Sequence, residues 1–259
     1  MKKIIAILVP IICLLLLFVI VLNTVILPKQ RREAAIEQYG EDFVVKFENL
    51  KAGDSIVLGK YEQDYDKSNG NEDIEWIVLA REDSKVLLLS KYILDGDDFH
   101  SSYSAFWKEC ALRNWLNGEF LSEAFSAKEQ SLISLCNNSN ETRYDDVVDS
   151  VFLLSCQEAE QYFPNEKDRQ AFLTEHAKHN ASYNKELNTG TWWLRTYGEN
   201  SNYAAYISVD GYIQEKGAEI TGGTLYREEE TVNGSLSLSG EWRGTFLGIR
   251  PAVWISIYN

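Results

Sequence analysis

Gly190-Thr191-Trp192-Trp193-Leu194-Arg195 and Gly248-Ile249-Arg250-Pro251-Ala252-Val253-Trp254 are two short, densely apolar stretches, each carrying tryptophan and a single arginine. Runs of this kind read as strands buried on both faces. An arginine inside such a strand must satisfy a rigid fork of N–H donors, so carboxylates or carbonyls are expected around Arg195 and Arg250. Arg113, between Leu112 and Trp115, is read in the same way. Together the three are expected to be structural clasps, with anion binding the other reading.

The rest of the chain is arranged around these strands. Ser55–Gly59, Ile74–Ala80 and Lys85–Ser90 alternate with polar turns and predict an antiparallel meander. Phe106, Cys110, Leu112, Trp115 and Leu116 recur at helical steps, and Asn117-Gly118 reads as a stop. Ser126 to Glu129 has the capping-box pattern. Residues 136–149 read as an exposed polar loop and Val151–Leu154 as a short strand. Gln157–Phe163 and Lys167–Lys178 read as helices parted by Pro164. Asp210-Gly211 between two apolar runs marks a hairpin. Residues 216–245 read as a long surface excursion. Strands, then helices, then strands without regular alternation imply an α+β domain with mostly antiparallel pairing. If its first and last strands pair, the ends of the domain come together.

The chain begins differently. Residues 4–22 form an uninterrupted apolar run that continues to Leu27, flanked by Lys2-Lys3 and Arg31-Arg32. As a helix the uninterrupted part spans roughly 28 Å, close to the hydrocarbon thickness of a bilayer. The run ends in Val-Ile-Leu-Pro rather than a small-x-small site, which favours an uncleaved signal anchor over a removed signal peptide. The expected organisation is a transmembrane anchor over 1–28, a juxtamembrane stalk over 29–50 and an α+β domain over 51–259. Basic residues at both ends leave orientation open. A short N-terminus before one span favours a cell-membrane protein with the large domain outside the cytoplasm. Beyond residue 28 the chain holds 23 basic against 39 acidic groups. Such a surface repels nucleic acid and anionic lipid.

Several motifs occur together and in order: Gly53-Asp54-x-Ile56, Ile74-Glu75-Trp76, Leu88-Leu89-Ser90-Lys91-Tyr92, Leu112-Arg113-x-Trp115-Leu116-Asn117, Val151-Phe152-Leu153-Leu154-Ser155, Trp192-Trp193-Leu194-Arg195 and Gly248-Ile249-Arg250-Pro251-Ala252. Over about residues 51–256 this set resembles the bacterial domain-of-unknown-function family 6273. The resemblance implies kinship with the C-type-lectin and formylglycine-generating (sulfatase-modifying) folds, and a Gram-positive origin. It carries over no activity. The paired late cysteines of formylglycine-generating enzymes are missing, since the last cysteine is Cys156.

Candidate sites follow from residue chemistry. Trp192 and Trp193 point to opposite faces of a regular strand, so either one is exposed or both pack. An exposed indole beside Arg195, Tyr197, Asn200, Asn202 and Tyr203 would suit stacking on a sugar ring with amide hydrogen bonds around it. Asp95, Asp97 and Asp98, and Asp145, Asp146 and Asp149, are the candidate calcium ligands, with solvated acidic loops the other reading. His176 and His179 read as a solvated pair, because H-E-x-x-H is absent. His100 shows no evident partner. Ser55 lacks the late histidine that an esterase needs. Cys110, Cys136 and Cys156 allow one bridge or three free thiols. No catalytic residue and no cofactor is assigned. The expectation is a membrane-anchored extracytoplasmic module binding a cell-surface glycan or wall polymer. The alternatives are a protein-interaction ectodomain of an envelope assembly and an uncharacterised enzyme with its pocket near Trp193 and Arg195.

Overall fold

The computed structural model describes residues 2–102, 104–138, 147–221, 226–232, 235–241 and 246–258. The chain divides into two compact units, residues 1–50 with 257–259 and residues 51–256. In the first, Lys2–Val21 is α-helical, Leu22–Ile26 makes a π-helical turn and Leu27–Tyr39 resumes the α-helix. Among the described residues, one helix is long and apolar enough to cross a membrane, ending at Tyr39. Its polar side chains bond back to the preceding turn: Asn23 Nδ2 donates to the Val19 carbonyl and Thr24 Oγ1 to that of Ile20, both at 2.8 Å. Neither side chain then depends on water for a partner, which an apolar surrounding would withhold. Gly40, at φ 91°, turns the chain into the helix Glu41–Asn49. There Glu48 accepts from Arg32 Nε at 3.0 Å and from the Tyr258 hydroxyl at 2.6 Å.

Residues 51–256 are α+β with mostly antiparallel sheets. The expected meander is present as Ser55–Tyr61, Glu72–Glu82 and Lys85–Ser90. The closing stretch is not one strand. Leu247–Ile249 belongs to one sheet and Ala252–Ser256 to another, because Arg250-Pro251 interrupts the ladder. Ala252–Ser256 pairs with Lys85–Ser90 rather than with the first strand, and also with Ile133–Ser134 and Val151–Phe152. The second sheet runs Ile213–Glu219, Tyr203–Ile207, Trp192–Tyr197, Leu247–Ile249 and Asp95–Asp97. Among the described residues, its one parallel pairing joins Trp192 to Gly248. The hairpin at Asp210-Gly211 forms with Gly211 at φ 86°.

Several helical expectations need correction. The helix through Trp115 does not stop at Asn117-Gly118 but passes through a π turn, Leu116–Phe120, into Leu121–Ala124. Burial of Leu116 and Phe120 continues its apolar face. Asn117 instead ties the helix to a strand, accepting from Ser150 N at 2.8 Å and donating to the Val151 carbonyl at 2.9 Å. The stretch 167–178 is two short helices, Glu166–Arg169 and Glu175–Asn180, around the strand pair Ala171–Phe172 with Thr189–Gly190. Within 136–149, Cys136–Asn138 pairs with Val147–Asp149, and Asn138 and Asp149 are buried. Tyr226–Val232 and Ser235–Glu241 form a hairpin inside the expected excursion.

The capping box at Ser126 is complete, and Glu129 also accepts from Gly59 N at 2.9 Å. That bond ties a four-residue helix to the first strand. Ser126→Ala should cost about 1 kcal/mol, read by urea denaturation; an unchanged midpoint would show that Glu129 holds this helix start without its cap.

Candidate functional site

The strand Asp95–Asp97 lies at the edge of the second sheet, in register with Leu247–Ile249. Gly96 turns inward, and a Cβ there would stand 2.5 Å from Ala181 Cβ and 2.6 Å from the Asn180 carbonyl carbon and oxygen. Only glycine lets the end of Glu175–Asn180 approach so closely. Thr174 fixes the start of that helix, its Oγ1 accepting from Ala177 N at 3.0 Å. The helix thereby carries His176 and Asn180 to Asp95.

Asp95 is the hub. Its Oδ2 accepts from the Tyr61 hydroxyl at 2.5 Å, and its Oδ1 accepts from Asn180 Nδ2 at 2.8 Å and from Gly96 N at 2.7 Å. His176 Nε2 stands 3.4 Å from Asp95 Oδ2, while the buried His176 Nδ1 has no hydrogen-bond partner among the described residues. Burial first, and then the Asp95 charge, push the Tyr61 pKa far up, so the phenol keeps its proton and remains a donor. The Asp97 carboxyl is also pushed above its ordinary value, chiefly by desolvation, with the Asp98 N–H opposing and the Asp95 charge adding.

These groups line a cleft of about 890 Å³. Trp115, Glu119 and Glu123 contribute from the helical stretch 111–124, and their four-residue spacing sets them along one side of it. Phe246, Asn71, Lys67 and Glu62 complete much of the wall. Tyr61 meets Trp115 edge-on at 6.4 Å and His176 edge-on at 5.9 Å. His179 is exposed and stacks on Tyr65 at 3.7 Å. The arrangement offers acceptors for hydroxyl or ammonium donors, aromatic surface, and an imidazole beside a carboxylate.

Most of the residues singled out from sequence lie elsewhere. Trp192 and Trp193 are both fully buried, so neither presents an indole to a ligand. Their Nε1 groups donate to the carbonyls of Arg169 at 3.1 Å and Asp97 at 2.9 Å, which lets both faces of the strand pack. Arg195 is buried too, donating to both carboxylate oxygens of Glu158 and to the Leu153 carbonyl. Tyr197 borders a separate groove of about 530 Å³, while Asn200 and Asn202 are exposed and shape the turn before Tyr203. Arg250 donates to the carbonyls of Ser90 at 2.9 Å and Lys91 at 3.5 Å, and its guanidinium lies 5.1 Å from the Trp192 ring. Complete burial without a carboxylate pushes its pKa down. Arg113 donates to Asp149 at 2.6 Å.

Asp149 is not open to a metal: Arg113, Trp107 Nε1 at 2.9 Å and Asn138 Nδ2 at 2.9 Å already occupy its carboxylate. Asp145 and Asp146 lie outside the described residues. Asp95 is committed to Tyr61 and Asn180, and one oxygen of Asp97 accepts from Asp98 N at 2.7 Å. His100 Nδ1 accepts from Ala111 N at 3.0 Å. Cys110, Cys136 and Cys156 are free thiols in the structure, and burial pushes Cys110 up to about 12. His176 is therefore not the solvated side chain that its sequence context suggests, and it is joined by Tyr61, Trp115 and Asn180, which sequence reasoning missed. The available signals are the His176 to Asn180 spacing of one helical turn and the glycine between two aspartates at 95–97.

No curated protein and no solved structure matches the chain. Residues 83–257 match the family described as Domain of unknown function (DUF6273), and the chain belongs to that family.

Proposed function

We propose that residues 51–256 form a binding module whose cleft holds a polyhydroxylated ligand bearing amino groups, a cell-surface glycan or wall polymer, with the module outside the cytoplasm and anchored by its apolar helix. The observation that carries this reading is the lining. Tyr61, Trp115 and Phe246 offer aromatic surface, and among the described residues Glu62, Asp95, Asp97, Glu119 and Glu123 stand against one lysine, Lys67. Sugar hydroxyls and ammonium groups donate to carboxylates, and sugar C–H faces lie on aromatic rings. The acidic surplus disfavours anionic ligands. The α+β plan, with a tryptophan-bearing strand beside a Gly-x-Arg strand, supports extending the reading to lectin-like or sulfatase-modifying-like kinship.

A second reading, catalysis in the same cleft, is favoured by His176 beside Asp95, a pairing suited to proton transfer. The two separate on the fate of the ligand. Full-length chain in mild detergent should bind amine-bearing glycans saturably and return them unchanged by mass spectrometry. Cleaved or modified glycan would establish catalysis, and no binding across the panel would turn the reading toward a protein partner.

A further inference from the structure

A second feature of residues 51–256 lies where the first two strands join, in the loop Glu62-Gln63-Asp64-Tyr65-Asp66-Lys67-Ser68-Asn69-Gly70-Asn71 and the first residue of the second strand, Glu72. Glu62, Asp64 and Glu72 each place a carboxylate oxygen within 4.8 Å of the other two. Oxygens on opposite sides of a calcium ion with bonds of about 2.4 Å are about 4.8 Å apart, so this spacing fits one ion at the centre. None of the three forms an ion pair among the described residues, and the nearby Lys60 pairs with Asp73 instead. Three converging negative charges without a cation repel one another.

Glu62 sharpens the point. It is only 6% exposed, and its Oε2 is buried without a hydrogen-bond partner among the described residues. A buried carboxylate oxygen left bare is costly unless something positive reaches it. Four of the other five carboxylate oxygens are held by amides. Glu62 Oε1 and Asp64 Oδ1 both accept from Asp66 N, at 3.0 and 2.9 Å, Asp64 Oδ2 accepts from Asn69 Nδ2 at 2.7 Å, and Glu72 Oε2 accepts from Gln63 N at 2.7 Å. These bonds orient the carboxylates without neutralising them.

We propose that Glu62, Asp64 and Glu72 bind one calcium ion, which fastens this loop across the start of the meander. A hard divalent cation taking six to eight oxygens suits a short polar loop that can add water or carbonyl ligands. The inference rests on these carboxylates alone, whatever the cleft binds.

The test uses the full-length chain in mild detergent, stripped with chelator and titrated with calcium chloride by calorimetry, with thermal unfolding read by tryptophan fluorescence. One calcium per chain is expected, with a rise in melting temperature of about 5 °C at a hundredfold excess over Kd. Glu62→Gln should weaken binding by tenfold or more and abolish most of that rise. Its melting temperature in chelator should equal or exceed that of the parent, since the buried bare charge is gone. Asp64→Asn, at an exposed position, should also weaken calcium binding tenfold and guards against misfolding of the first variant. No heat at 5 mM calcium (about fiftyfold above the Kd of a weak extracellular site at its tighter end) would overturn the proposal. So would parent-like binding by both variants, or magnesium binding more tightly than calcium.

Discussion

Asp149→Ala should destabilise residues 51–256 by about 4 kcal/mol. The carboxylate is wholly buried and accepts from the Arg113 guanidinium, the Trp107 indole and the Asn138 amide. Removing it strands three donors at once. Leaving a buried donor unpaired costs about 1 to 3 kcal/mol, and breaking a buried ion pair from one side about 3 to 5. Arg113 retains part of its access to water and carbonyl partners at Lys108 and Val148, which lowers the sum. All seven tryptophans lie between residues 76 and 254, so fluorescence-detected urea denaturation reports this unit alone. Against a typical stability of about 5 to 15 kcal/mol the effect is large. A loss below about 1 kcal/mol would show that water reaches the site.

Gly96→Val should both destabilise the unit and disable the cleft. The added Cβ meets Ala181 Cβ and the Asn180 backbone at 2.5 to 2.6 Å, so backbone must move. Its register partner Gly248 is equally hemmed in: a Cβ there would stand 2.5 Å from Ile93 Cγ2 and 2.6 Å from the Thr191 carbonyl oxygen. Overpacking of this kind costs about 1 to 3 kcal/mol. The displaced helix would draw Asn180 and His176 from Asp95 and weaken binding in the cleft. Wild-type affinity for a cleft ligand in the folded variant would contradict this account of how the site is positioned.

The parts of this fold legible in sequence are those dictated by neighbouring residues. The meander follows from alternation around polar turns, the helix start at Ser126 from a reciprocal cap, and the hairpin from Asp210-Gly211. The parts that sequence alone misplaces depend on partners distant in the chain. Asn117 looks like a helix stop until Ser150 and Val151 take up its amide. The run Gly248–Trp254 looks like one strand until Gly248 pairs with Trp192 while Ala252 pairs with Leu89. His176 looks solvated because nothing local announces that Gly96, about eighty residues earlier, admits its helix. The arginine strands do announce buried donors, but their tryptophans serve the core, and the cleft lies on the Asp95 side of the sheet.

The most direct measurement compares glycan affinity of the full-length chain with that of Trp115→Ala and Tyr203→Ala, each verified for folding. The cleft account predicts at least tenfold weaker binding for Trp115→Ala and no change for Tyr203→Ala. Unchanged binding in Trp115→Ala with loss in Tyr203→Ala would contradict it and return the site to the face around Tyr197, Asn200 and Asn202.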